Sequence, residues 1–137
     1  MSLDLFARLP VQKLNNIECY CTPVNIDHVS IYTRGEIHLG NITHNLADMA
    51  SHVNVDYGIS LYDTLWRSQD CCEGKLDSLR PLWQKGLDIL DRDRDKLKRY
   101  NPTNGFGSHD DLIEFVRLVL INSEKLVGIG VKCVSDV

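Results

Sequence analysis

Three short stretches of the chain carry residue types that can hold or transform a small molecule. The first is Thr43-His44-Asn45, where a strand-like alternation gives way to helical spacing. The first N–H groups of a helix lack partners within it, so polar side chains beside them suit a phosphate or a carboxylate. A histidine at such a place can also act as acid or base near neutral pH. The plainer reading is helix capping with a satisfied local hydrogen bond. The second stretch is Asn104-Gly105-Phe106-Gly107-Ser108, in which glycines flank an aromatic just before a helix start. Glycine permits close backbone approach to an anion, and Phe106 can serve as a stacking plate; otherwise the loop is a turn and cap, with Phe106 plugging the core. The third is Trp66-Arg67, a stacking face beside a guanidinium fork that matches phosphate geometry. Its plainer reading is a core tryptophan and an arginine paired with a helix carboxylate.

No complete catalytic set accompanies them. His28-x-Ser30 is half of a two-histidine phosphoesterase pattern, and neither His109-Asp110-Asp111 nor His52-Val53-Asn54 supplies a second half. Gly-x-Ser-x-Gly and His-Glu-x-x-His are missing, and the glycine loop is neither a P-loop nor a dinucleotide fingerprint. The five cysteines (Cys19, Cys21, Cys71, Cys72 and Cys133) lack zinc-ribbon spacing. Their odd number, with no secretory signal visible, points to reduced thiols in a cytoplasm, buried or incidental. No metal or cofactor is expected.

The elements that must position these stretches follow from periodicity. Leu5, Phe6 and Leu9 stand at local helical spacing before Pro10, so residues 1–15 read as a short helix or an arm. Ile17 to Thr22 reads as a strand stub and Pro23 to Asp27 as a turn. Residues 28–33 and 36–42 read as two strands of a hairpin joined by Arg34-Gly35. A helix over 45–53 follows, with Asn45 as N-cap and Asp48 completing a capping box. Ser60-x-x-Asp63 opens a short helix carrying Leu61, Leu65 and Trp66. Leu76, Leu79, Trp83, Gly86, Leu87, Leu90 and Leu97 share one stripe within 75–99. Pro81 there either kinks a long helix or sits in the first turn of one starting near 79, the favoured reading. Gly86 on the stripe suggests close approach of another backbone. Ser108 caps a last helix with an acidic first turn, Asp110 and Asp111, and a buried stripe of Leu112, Phe115, Val116, Val119 and Leu120. Val127, Ile129, Val131 and Cys133 alternate as a closing strand. The expected fold is α+β: a small antiparallel sheet, N-terminal hairpin plus C-terminal strand, covered by three or four helices.

At 137 residues the chain fits a single domain, 1–137, with residues 1–25 set apart as an N-terminal arm. Its 43% hydrophobic and 25% charged residues are those of an ordinary globular protein. The net charge of −4 and scattered basic residues exclude a duplex-binding face, and no apolar run approaches the length of a membrane span.

Asn41-Ile42-Thr43-His44-Asn45-Leu46 with Met49-Ala50, then Leu65-Trp66-Arg67, then Tyr100-Asn101-Pro102 with Asn104-Gly105-Phe106-Gly107, resemble three ordered motifs of a group of small phage-encoded proteins. The resemblance covers about residues 28–134. It departs where the group tends to have proline and this chain has Ser68, where Phe106 replaces tryptophan, and where residues around Asn54 to Ser60 lengthen a loop. It implies a lineage and no shared activity. The resulting expectation is a phage-type accessory protein of the host cytoplasm, binding a small anionic, nucleotide-derived ligand without catalysis and assembling as a homo-oligomer. A protein-interaction module or an inhibitor of a host protein is the alternative, and a small phosphoesterase-type hydrolase using His44 or His28 the third. The ligand reading requires the two chain breaks, at Thr43 and before Ser108, to meet in space.

Overall fold

The computed structural model describes residues 1–9, 12–14, 17–19, 22–26, 29–33 and 36–137. The element at its centre is β1 (Ser2–Arg8), the middle strand of a three-stranded antiparallel sheet. This corrects the expected helix or arm. Leu3, Leu5 and Ala7 are wholly buried and alternate with Asp4, Phe6 and Arg8, the period of two that a strand with one buried face requires. The helical spacing of Leu5, Phe6 and Leu9 was a coincidence within that alternation.

β2 (Gln12–Leu14) pairs with β3 (Ile17–Cys19), and β4 (Thr22–Ile26) pairs with β5 (Val29–Thr33). The stretch expected as a turn, Pro23 to Asp27, is therefore largely strand. β6 (Glu36–Thr43) pairs with β1, not with β5 as expected; the alternation of β5 is met by β4 instead. Pro10, Cys21, His28 and the Arg34-Gly35 connection lie outside the described residues.

β6 carries a bulge. Leu5 faces Gly40 and Phe6 faces His38, which leaves Leu39 as the extra residue. Its carbonyl accepts the Asn122 side-chain amide at 2.9 Å, so that carbonyl is not left unpaired by the bulge.

After β6, a 3-10 turn over His44–Leu46 runs into α1 (Ala47–Ser51). Thr43, not Asn45, is the cap: its hydroxyl accepts the Asn45 N–H at 3.3 Å. Residues 54–60 form a minute hairpin of β7 (Asn54–Asp56) and β8 (Ile59–Ser60). Ser60 and Asp63 open α2 (Leu61–Trp66) as expected, and do so through a reciprocal capping box.

α3 (Leu76–Arg92) begins earlier than the favoured reading had it, with Pro81 inside the helix. Its first turn is anchored from outside: the Leu76 N–H donates to the Val131 carbonyl at 3.0 Å, and the Asp77 carboxylate accepts the Gly128 N–H at 3.0 Å. These external bonds, with the burial of Leu76, offset the hydrogen bond that Pro81 removes. Gly86 is approached by the side chains of Leu61 and Val55, not by a backbone; a Cβ there would lie 2.7 Å from Leu61 Cδ1. α4 (Arg94–Leu97) and a 3-10 turn lead to the loop before α5 (His109–Ser123).

α5 lies on the sheet at Gly40, where a Cβ would stand 2.9 Å from the Phe115 ring. Leu112, Phe115, Val116 and Val119 are its buried stripe, and Arg80 of α3 ties its C-terminal end through the Leu120 carbonyl at 2.7 Å. β9 (Lys132–Asp136) closes the sheet. It begins after the expected start because Gly128 and Gly130 take positive φ, +82° and +77°, and turn the chain there. The fold is α+β, as the sequence led one to expect.

The free side of β9 is sealed by side chains. Gln69 accepts the Ser135 N–H at 3.0 Å and donates to the Ser135 carbonyl at 3.4 Å, as a neighbouring strand would. The buried Ser135 hydroxyl meets Ser68 Oγ and the Leu65 carbonyl, each at 2.6 Å, and accepts the Ser68 N–H at 3.1 Å. A proline at 68 has no N–H to give to this clasp, so the departure at Ser68 keeps a bond that proline would lose.

Candidate functional site

The two chain breaks meet. Gly107, at φ +104°, lies so close to the end of β6 that a Cβ would stand 2.9 Å from Thr43 Cγ2 and 3.2 Å from Leu46 Cγ. Only glycine combines that φ with that clearance. The Asn45 amide donates to the Phe106 carbonyl at 3.2 Å, and the Asn104 carboxamide oxygen accepts the Phe106 N–H at 3.0 Å. The second bond is a local side-chain turn that shapes the loop; the first fastens it to the strand end. Gly105, at φ +78°, has open space around it and serves the turn alone.

Between these segments lies a cleft of about 740 Å³. Asn41, Ile42, Thr43 and Asn45 form one wall with Met1, and Asp111, Glu114, Phe115 and Leu118 of α5 form the other, with Phe106 and Gly107 at the end. Phe106 is 70% exposed. It does not plug the core; its ring is open to whatever occupies the cleft.

The site differs from expectation in its charge. Ser108 caps α5 by accepting the Asp111 N–H, and the His109 N–H goes to Asn101 at 2.9 Å. At the other break the His44 N–H reaches the Met1 carbonyl and the Asn45 N–H is held by Thr43. The backbone donors expected to receive an anion are therefore largely satisfied from within. The acids on the α5 wall, Asp111 and Glu114, present oxygen acceptors; Asp111 also accepts from Ser108 at 3.2 Å, and Glu114 pairs with Arg117 at 2.9 Å. Such a wall favours groups that donate hydrogen bonds and repels phosphate.

Trp66 and Arg67 do not join the cleft. Trp66 is 5% exposed, its ring stacked on Tyr62, and its Nε1–H donates to His44 Nδ1 at 2.9 Å. An indole can only donate, so His44 Nδ1 is unprotonated and the ring is held in place by the core. Trp66 thus has its plainer role, and His44 serves as its acceptor. Arg67 pairs with Asp70 at 3.5 Å beside a separate cavity of about 240 Å³.

Sequence reasoning missed Asn41, Asp111, Glu114 and Leu118 as lining. The last three stand at i, i+3 and i+7 of α5, a signal legible on the face beside its buried stripe. Asn41 escaped because its partners lie on β1, which read as helix. Its amide donates to Asp4 at 2.9 Å and to Ser2 at 3.0 Å, while His38 Nε2 lies 2.9 Å from the same Asp4 oxygen. The Asn41 bond, and after it His38, holds the Asp4 carboxyl below its ordinary 3.8.

Comparison of the chain with protein-family profiles, curated proteins and solved structures finds no match. Among the described residues no helix is long and apolar enough to cross a membrane.

Proposed function

We propose that this protein binds a small, planar, nucleotide-derived molecule in the cleft between the end of β6 and α5 and sequesters it without covalent chemistry. The observation that carries the reading is the open Phe106 ring, on a backbone held by Asn45 and Asn104, in a cleft also lined by Asp111 and Glu114. A base stacks on Phe106, and sugar hydroxyls or exocyclic amines donate to the carboxylates and to the Asn41 and Asn45 carbonyl oxygens. The anionic part expected from the sequence then points out of the mouth, away from the acids. With the resemblance to phage-encoded proteins, the reading becomes an accessory protein that takes up a nucleotide-derived signal in the host cytoplasm.

Isothermal calorimetry with nucleosides, the matching monophosphates and cyclic nucleotides tests this. Binding is expected for one base family, with the nucleoside no weaker than its phosphate, and Phe106→Ala weakens it by roughly 5- to 100-fold, the value of one base–aromatic stack. Absence of heat across the series, or an unchanged affinity in Phe106→Ala, overturns it.

One observation favours a second reading, a protein-docking face. Phe106, Leu118 and Ile121 are 70%, 47% and 65% exposed, and Leu118 and Ile121 share the outer side of α5. If that face joins copies of the chain, the mass by light scattering rises with concentration and Ile121→Asp abolishes the rise; a constant monomer mass contradicts self-association.

A further inference from the structure

Away from the cleft, Cys71 and Cys72 present two thiols side by side, with Sγ atoms 3.8 Å apart. Adjacent side chains point to opposite faces of a strand and diverge by about 100° on a helix, so regular structure does not hold neighbouring thiols in contact. Here the backbone is irregular. Cys72 (φ +53°) and Glu73 (φ +56°) are the non-glycine residues with positive φ among those described, and non-glycine residues rarely occupy that region without a constraint or a use. The turn is held from both ends: the Gly74 N–H donates to the Cys71 carbonyl at 2.9 Å, the Lys75 N–H to the Cys72 carbonyl at 3.1 Å, and Gly74 packs on the Cys133 carbonyl of β9.

One thiol of the pair also faces a cavity. Cys71, itself 8% exposed, lines the cavity of about 240 Å³ that carries the Arg67 guanidinium and the carboxylates of Asp63 and Asp70. That mixture of charges matches a zwitterion bearing both carboxylate and ammonium groups. Cys72 is half-buried.

We propose that Cys71 and Cys72 form a reversible redox site that reacts with a low-molecular-weight zwitterionic disulfide of the glutathione class. The Cys72 thiolate attacks one sulfur of the small disulfide; that S–S bond breaks and one small thiol leaves with a proton. The Cys71 thiol then gives up its proton and attacks Cys72 Sγ, expelling the second small thiol. The protein has lost two protons and two electrons, and the small disulfide has become two thiols. The order follows from burial, which together with the Cys72 hydrogen bond pushes the Cys71 thiol up to about 11 and leaves the more exposed Cys72 to act first. Neighbouring Cα atoms lie about 3.8 Å apart, closer than in ordinary disulfides, so the closed ring is strained and reopens readily with excess thiol.

The full chain, reduced and then equilibrated with glutathione disulfide, is quenched by alkylation and digested with trypsin. Cleavage after Arg67 and Lys75 isolates Ser68–Lys75, which contains Cys71 and Cys72 and no other cysteine. The expected result is that peptide unalkylated and lighter by about 2 Da, the two hydrogens lost to the disulfide, with both thiols regained on adding glutathione. In Cys71→Ser a glutathionyl adduct accumulates on Cys72, because nothing resolves it; in Cys72→Ser position 71 stays alkylatable and unadducted. Full alkylation of both residues in the native chain, a lasting adduct on either, or an unadducted Cys72 in Cys71→Ser overturns the proposal. None of these results depends on what the Phe106 cleft binds.

Discussion

Replacing Gly107 with alanine probes the junction on which the cleft depends. At φ +104° an L-residue carries backbone strain of about 1–2 kcal/mol. The new methyl would also press on Thr43 Cγ2 at 2.9 Å and on Leu46 at 3.2 Å, overpacking that costs about 1–3 kcal/mol. The loss is then roughly 2–5 kcal/mol, a large part of the ~5–15 kcal/mol that stabilises a typical domain. At about 3–5 °C per kcal/mol for a chain of this size, the midpoint falls roughly 6–25 °C. Gly105→Ala is the internal control. Its φ of +78° brings the same strain, but no atom lies within 4 Å of the added methyl, so its loss stays near about 1–2 kcal/mol. Thr43→Ser deletes the clashing methyl and keeps the capping oxygen, so Thr43→Ser/Gly107→Ala regains roughly 0.5–2 kcal/mol over additivity. Urea denaturation of the five proteins supplies every quantity. Equal losses at 105 and 107, with no coupling to Thr43, would refute contact between the loop and the strand end.

Three further outcomes follow from the same geometry. Ser135→Ala leaves the Ser68 N–H without its partner inside the clasp on β9, and urea denaturation should show a loss of about 1–3 kcal/mol; an unchanged midpoint denies the clasp its role. Asp4 has a folded pKa below its ordinary 3.8, so its stabilisation is present above that value and is lost as pH falls through the folded one. Asp4→Asn should therefore flatten stability measured from about pH 5 to about pH 2, whereas an identical acid slope contradicts the Asn41 and His38 bonds. Burial pushes the Cys133 thiol from 9.0 up to about 12; the unfolded chain ionises first, so stability present below pH 9.0 declines as pH rises toward 12. Cys133→Ala should reduce that alkaline slope in chemical denaturation, and an unaltered slope argues against a buried thiol.

How much could be read from the residues alone depended on where the controlling interactions lie. α2 and α5 were legible because their caps, Ser60 with Asp63 and Ser108 with Asp111, are local, and their buried stripes repeat at helical spacing. β1 was not, because seven residues with three buried apolar positions fit two periods at once, and only pairing with β6 and β9 decides between them. The start of α3 depends on Val131 and Gly128, more than fifty residues downstream in sequence, which no local pattern records. Within the candidate site, the meeting of Thr43 and Asn45 with Phe106 and Gly107 was foreseen from chain breaks rich in polar residues and glycine. The placing of Trp66 and Arg67 was not, since adjacency in sequence says nothing of which cavity a side chain faces. Of the acids on the far wall, Asp111 was read as a first-turn residue of α5, which it is, and Glu114 was not singled out; the role of both in the cleft needed the sheet to be in place.

The most direct test of a binding cleft at this junction is a titration of the ¹⁵N-labelled protein with the tightest-binding nucleoside, followed by amide chemical shifts. The account predicts that Thr43, Asn45, Phe106, Gly107, Asp111 and Glu114 move together and saturate with one dissociation constant. Shifts confined to the Arg67–Asp70 side of the molecule, or none at millimolar ligand, would contradict it.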